Sequence, residues 1–90
     1  MEIKETLELR GKNYGLYKNQ ASIAQGIKSA FRCGNWDALA DDQKESLEMI
    51  ANKIGRILNG NPNFHDSWHD IVGYAKLVAD RLLLQAEGDK

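Results

Sequence analysis

Four carboxylates stand out by their spacing. Glu45 and Glu48 are three residues apart, and Asp66 and Asp70 are four apart. Either spacing makes two side chains neighbours on one helix surface. If the two segments pack as antiparallel helices joined by a short turn, both pairs converge. Four carboxylates gathered in this way suit Mg²⁺, a hard cation that takes oxygen ligands and shares its shell with substrate phosphates. The same residues also have a plainer reading. Glu45 completes a capping-box-like pair with Asp42, and Asp66 or Ser67 suits the N-cap of the next helix. Asp70 then falls in a first turn, where a carboxylate complements the helix dipole.

Two further groups carry potential chemistry. His65 and His69 stand four apart, the spacing that points two ligands at one ion from a helix, though no third ligand is placed beside them by a known motif. Arg10-Gly11-Lys12-Asn13-Tyr14-Gly15 combines glycines that admit close backbone approach with two cations and an aromatic ring suited to stacking on a base. It lacks the spacing and the preceding strand of a P-loop, and an ordinary turn with Tyr14 as a lid on the core is the simpler reading. Lys53 and Arg56 are placed to reach phosphates or to pair with Asp66 and Asp70. The single cysteine, Cys33, has no base fixed beside it by any recognisable pattern.

The elements that must position these groups are helices. No sustained alternation and no Val/Ile/Thr-rich run suggests a strand. A short first helix is predicted over about Glu2 to Arg10 and broken by Gly11, Asn13 and Gly15. A second covers about Asn19 to Arg32, with Ile23, Ile27, Ala30 and Phe31 as its stripe. Trp36 and Leu39 are expected to plug the core from the connection that follows. The third helix starts at Asp42, carries Leu47, Ile50, Ala51, Ile54, Ile57 and Leu58 inward, and stops at Gly60 before Asn61-Pro62-Asn63. The fourth runs from about Asp66 to Gln85. Its main stripe is Trp68, Ile71, Val72, Ala75, Val78, Ala79 and Leu82, which predicts that Trp68 is core. Tyr74, Leu77 and Leu84 lie elsewhere on the same helix. A helix that is apolar on two sides needs two partners, so a homodimer or higher homo-oligomer is expected, with the Tyr74/Leu77/Leu84 side and Gly73 at the interface.

Bulk properties bound the rest. Ninety residues make one domain with a thin core, predicted as an all-α compact bundle of about four helices over residues 1–90. Net charge is −1, from 12 basic and 13 acidic side chains, so there is no cationic surplus for binding polymeric nucleic acid. No window is apolar enough to span a membrane. Met1-Glu2-Ile3-Lys4-Glu5 lacks the features of a signal peptide, and one unpaired cysteine suits a reducing compartment, so a cytoplasmic location is expected.

The runs Arg10–Gly15, Ile54-Gly-Arg-Ile-Leu-Asn-Gly60 and Asp66-Ser-Trp-His-Asp-Ile-Val-Gly-Tyr-Ala75 resemble an uncharacterised small helical domain of tailed phages and prophages. The resemblance covers about Glu5 to Leu83, and the Asp66–Ala75 run is its most specific part. That domain in turn resembles, distantly, the MazG-type all-α nucleoside triphosphate pyrophosphohydrolases and helical domains linked to phage nucleotide modification. The resemblance implies a MazG-like fold in the cytoplasm of a bacterial host. It also implies Mg²⁺-dependent cleavage of a nucleoside triphosphate to monophosphate and pyrophosphate. Glu45 and Glu48 match the first Glu-x-x-Glu pair, Asp70 the Asp of the second motif, and Tyr74 its aromatic residue. Ser67 stands where that motif has Glu, with Asp66 as the neighbouring substitute. On this reading Glu45, Glu48, Asp66 and Asp70 hold the metal and carry catalysis. Arg10, Lys12, Lys53 and Arg56 neutralise phosphate charge, and Tyr14 or Trp68 stacks on the base. The departure at Ser67 opens a second class: a non-enzymatic binder, either a sponge for small nucleotides or an inhibitor that docks on a host protein.

Overall fold

Small residues decide which helices come closest. The computed structural model describes residues 2–88. It contains α1 (Ile3–Tyr14), α2 (Tyr17–Ser29), α3 (Asp41–Asn59) and α4 (His65–Gly88), with one turn of 3₁₀ helix at Trp36–Ala38 between α2 and α3. Among the described residues there is no strand. Ala24 on α2 is 3% exposed and Ala51 on α3 is fully buried. A Cβ on Gly55 would sit 3.0 Å from the Gln20 carbonyl oxygen and 3.5 Å from the Ala24 Cβ. Larger side chains at these positions would hold the two backbones apart, so the alanines and the glycine set the α2–α3 distance.

The α3–α4 contact is tied by polar links. Ser46 Oγ donates to the Tyr74 carbonyl at 3.1 Å, and Lys53 Nζ meets Asp70 Oδ2 at 3.0 Å. Arg81 grips Asp42 with two parallel bonds, Nε to Oδ2 at 2.9 Å and Nη2 to Oδ1 at 2.6 Å. This two-pronged geometry is the most specific form of an ion pair. Together these links fix an antiparallel hairpin, with the start of α3 beside the second half of α4.

α2 and α4 both pack on α3. From α3, Ala51 and Gly55 point to α2, whereas Asp42, Ser46 and Lys53 point to α4, roughly 170° further round at 100° per residue. The three helices therefore form a layer with two unlike faces. One face carries Tyr17, Lys28, Met49, Asn52 and Arg56, and the end of α1 lies against it. The opposite face carries Ile23 and Ile27 from α2, Leu47, Ile50, Ile54 and Leu58 from α3, and Trp68, Val72, Ala75 and Leu82 from α4. The whole chain measures 52 × 27 × 23 Å.

α1 is tied down at its C-terminal end. Asn59 Nδ2 donates to the Tyr14 and Leu16 carbonyls, each at 2.8 Å, and the Asn61 amide donates to the Asn13 carbonyl at 2.7 Å. Two glycines permit this knot. Gly15 has φ +77°, and a Cβ there would fall on the Asn59 carbonyl oxygen. A Cβ on Gly60 would fall on the Asn13 carbonyl oxygen and the Tyr14 Cα.

The expected all-helical, four-helix architecture is the observed one, with several corrections. Gly11 does not end α1, which continues to Tyr14, and α2 begins at Tyr17. The N-cap of α3 is Ala40, two residues before Asp42, and the helix begins at Asp41. Gln43 Oε1 accepts from the Ala40 amide at 2.8 Å, and Asp42 is engaged by Arg81 instead. Trp68 is not core: it is 52% exposed, and its indole N–H donates to the Pro62 carbonyl at 2.8 Å. α4 turns Ser67, Asp70, Ile71, Tyr74, Val78 and Arg81 towards α3, and leaves Trp68, Val72, Ala75, Ala79 and Leu82 in the open. The hydrogen bonds and ion pairs above rotate α4 away from its most apolar side. Trp36 stacks on Phe31 at 5.4 Å between ring centres, but it and Leu39 are half-buried and do not plug the core, whose buried apolar side chains are Ala24 and Ala51.

The hairpin pairs make stability depend on pH. Asp42 and Asp70 are both held below the ordinary carboxyl value of 3.8, Asp42 chiefly by its hydrogen bonds from Arg81 and Asp70 chiefly by that from Lys53. A depressed folded-state value means that the unfolded chain takes up protons first. The stabilisation is complete above about pH 4, where both states are ionised, and fades as pH falls through the lower folded values. Asp42→Asn is expected to flatten the acid limb of a melting-temperature profile between pH 5 and 2, read by circular dichroism. A variant with an acid limb as steep as the parent's would remove this pair as a cause.

Candidate ligand site

The α1–α2 elbow and the C-terminal half of α3 enclose a cavity of about 280 Å³. Arg10, Tyr14, Tyr17, Gln20 and Arg56 line it together with Leu7, Leu16 and the two elbow glycines. The chain folds in this way because the Gly15 turn swings α2 back across α3, which brings residues on either side of the turn onto one hollow. The Arg56 guanidinium carbon lies 4.6 Å from the centre of the Tyr14 ring, a cation–π contact that holds the head flat against an aromatic face. Phe64 meets the other side of the arrangement, edge-on to Tyr14 at 5.8 Å. Arg56 Nε is buried and has no hydrogen-bond partner. A second cavity of about 250 Å³ adjoins along the same face. It shares Tyr17, Gln20 and Arg56 with the first, and adds Lys28, Asn52 and Lys53. No carboxylate lines either cavity. Cationic side chains around a hollow whose wall holds no carboxylate, beside the half-buried Tyr14 and the exposed Tyr17, suit an anion that carries a flat ring.

Three of the six residues expected to contact phosphate or base thus come together, Arg10, Tyr14 and Arg56, whereas Trp68 lines neither cavity. Lys12 lies in the last turn of α1 and is exposed, but it does not line the cavity. Lys53 reaches the adjoining cavity, yet its ammonium is committed to Asp70 and its side chain is 9% exposed. Tyr17 and Gln20 were not singled out from the sequence. Their only signal is position, just beyond the glycine turn whose other side carries Arg10 and Tyr14.

The expected acidic cluster does not assemble. Lys53 lies opposite Asp70 in the hairpin, and Glu48 is five residues further back along α3, with Glu45 eight back. At 1.5 Å per residue this puts them about 7 and 12 Å away along the axis. Asp66 is one turn more distant again. Glu48 also faces α2, in a hollow with Lys28, Arg32 and Trp36, and Glu45 is exposed. Among the described residues no three His, Cys, Asp or Glu side chains are grouped to hold a metal ion. The residues present therefore do not fit the Mg²⁺ site that the resemblance implies. His65 and His69 stack at 5.5 Å between ring centres, and His65 Nδ1 lies 3.7 Å from Asp66. Tyr74 belongs to the α3–α4 contact, where its carbonyl takes the Ser46 hydroxyl. Among the described residues no helix is long and apolar enough to cross a membrane.

No protein-family model, curated protein or solved structure matches this chain.

Proposed function

We propose that the protein binds a small phosphate-bearing ligand of the nucleotide class, in the α1–α2 elbow, without hydrolysing it. One observation carries this reading: Arg10 and Arg56 share a cavity with Tyr14 and Tyr17, and no acidic side chain lines it. The guanidinium groups take the phosphate, since their planar forks match its oxygens. Arg56 stands in this wall with its Nε–H buried and unpartnered. A tyrosine ring supplies the stacking surface for the base, a sequence-tolerant contact worth about 1–3 kcal/mol. The hydrolytic alternative needs a metal held by several carboxylates, and these are spread along the hairpin. The nucleotide class implied by the phage and MazG-type resemblance is retained here, and the catalysis is not.

Calorimetric titration with nucleoside mono-, di- and triphosphates tests the proposal. Saturable binding is expected, of similar strength with and without Mg²⁺, and weaker at high salt. Arg56→Gln removes a charged hydrogen-bond donor, a loss of about 1.5–3 kcal/mol, or roughly 10- to 150-fold in affinity. Absence of binding to every nucleotide at millimolar concentration would overturn the proposal. So would Mg²⁺-dependent release of pyrophosphate that disappears in Asp70→Asn.

A further inference from the structure

The layer's second face is apolar across all three helices, and none of the described residues covers it. Ile23, Leu47, Ile54, Trp68, Val72 and Leu82 mark its extent, and at 100° per residue none of the charged side chains of α2, α3 or α4 falls within it. On α4 the exposed stripe Trp68, Val72, Ala75, Ala79, Leu82 and Ala86 advances in alternating steps of four and three. This is the spacing of a seam between two packed helices, with alanines at its middle that admit a close approach. We infer that this face is the interface of a homodimer, in which α4 of one copy packs along α4 of the other and α3 flanks the contact.

Area and charge identify the occupant as a second copy. The chain exposes 6721 Å² for a mass of 10.1 kDa. A compact monomer of that mass exposes about 5,300 Å². The excess, about 1,400 Å², lies within what one partner buries in an obligate dimer, roughly 1,000–2,500 Å². A twofold axis sets a surface against itself, so like charges would meet like charges. An uncharged face avoids that repulsion. The opposite face, with its exposed cations and carboxylates, does not. The dimer also leaves the ligand elbow open, since the elbow lies on the other side of the layer.

Light scattering on the wild-type chain is expected to give about 20 kDa, twice the 10.1 kDa of one copy, at low micromolar concentration. Val72→Glu changes a side chain that is 62% exposed in the single chain and should weaken association at least 100-fold. Leu77→Glu, on the far flank of α4 and 68% exposed, should leave the dimer intact. A second readout does not depend on the folding of Val72→Glu. In Trp36→Phe protein, Trp68 is the sole tryptophan, and its emission should shift to the red on dilution through the dissociation constant. A wild-type monomer at 100 μM overturns the inference, as does Trp68 emission that is independent of concentration. Dissociation by Leu77→Glu but not Val72→Glu overturns it too, because the interface would then lie on the Tyr74/Leu77/Leu84 side. Capture of a different protein by a wild-type monomer would likewise reject the homodimer.

Discussion

Gly60→Ala should release α1 from the rest of the chain and abolish binding at the elbow, while α2, α3 and α4 stay folded. The added Cβ would fall on the Asn13 carbonyl oxygen and the Tyr14 Cα, both backbone atoms with no rotamer to yield. Overpacking of this kind costs about 1–3 kcal/mol, so the opening equilibrium of the α1 end should rise roughly 5- to 150-fold. Other contacts on α1 are few: Tyr14 meets Arg56 and Phe64, no residue of the helix is buried, and Ile3, Leu7 and Leu9 are exposed. Its attachment depends on the Asn59 amide and the Asn61 N–H reaching the carbonyls around Tyr14 and Leu16. Amide hydrogen exchange reads the effect directly. Faster exchange is expected at the C-terminal turn of α1 and at Asn61, with α3 and α4 unchanged. Parental protection at both places would show that the glycine is not required there.

Gly55→Leu should be the most destabilising single change in the molecule. The position faces α2 at its closest approach, where even a Cβ meets the Gln20 carbonyl oxygen at 3.0 Å. Leucine adds three further carbons into a contact built from Ala24 and Ala51, the two apolar side chains that are buried. Neither helix can retreat without surrendering that contact, and the domain has little other core. A penalty at or above the usual overpacking range, on the order of 3 kcal/mol, is expected. For a chain of this size that corresponds to roughly 12–24 °C in melting temperature. A thermal melt followed by circular dichroism decides it, and a fall of less than 3 °C would mean that α2 and α3 do not meet as described.

Much of the architecture was legible in the sequence because helical periodicity survives in a small chain. The number of helices and the stop at Gly60-Asn61-Pro62 both followed from local signals. The rotation of α4 did not. Its most apolar stripe, Trp68 to Leu82, was read as the core face, since apolar side chains seek burial and a sequence does not say against what. The hairpin's register is set by Arg81 with Asp42 and by Lys53 with Asp70, pairs 39 and 17 residues apart in sequence that no local pattern displays. Once they form, α4 presents Ser67, Asp70 and Tyr74 to α3, and the apolar stripe is left for something else.

The acidic cluster failed for a reason that the sequence did contain. In an antiparallel hairpin that turns near residues 60–64, the start of α4 lies beside the end of α3. Asp70 therefore meets Lys53, and Asp66 lies exposed beside His65, at the far end of the hairpin from Glu45 and Glu48. Matching spacing on two helices does not put side chains at matching height. The elbow was half legible: Arg10, Tyr14 and Arg56 were identified by type, while the meeting of α1 and α3 depended on the Asn59 side chain, which no motif announces.

On the proposed function a nucleotide binds in the α1–α2 elbow. Amide chemical shifts of the ¹⁵N-labelled protein, recorded through a titration with nucleoside triphosphate and then with inorganic phosphate, test it most directly. The expected result is a saturable set of shifts confined to Gly11, Gly15, Tyr17, Gln20 and the Arg56 turn, with inorganic phosphate moving a subset nearest Arg10 and Arg56. Shifts centred on Glu45, Glu48, Asp66 and Asp70, or a spectrum unmoved at millimolar ligand, would contradict it.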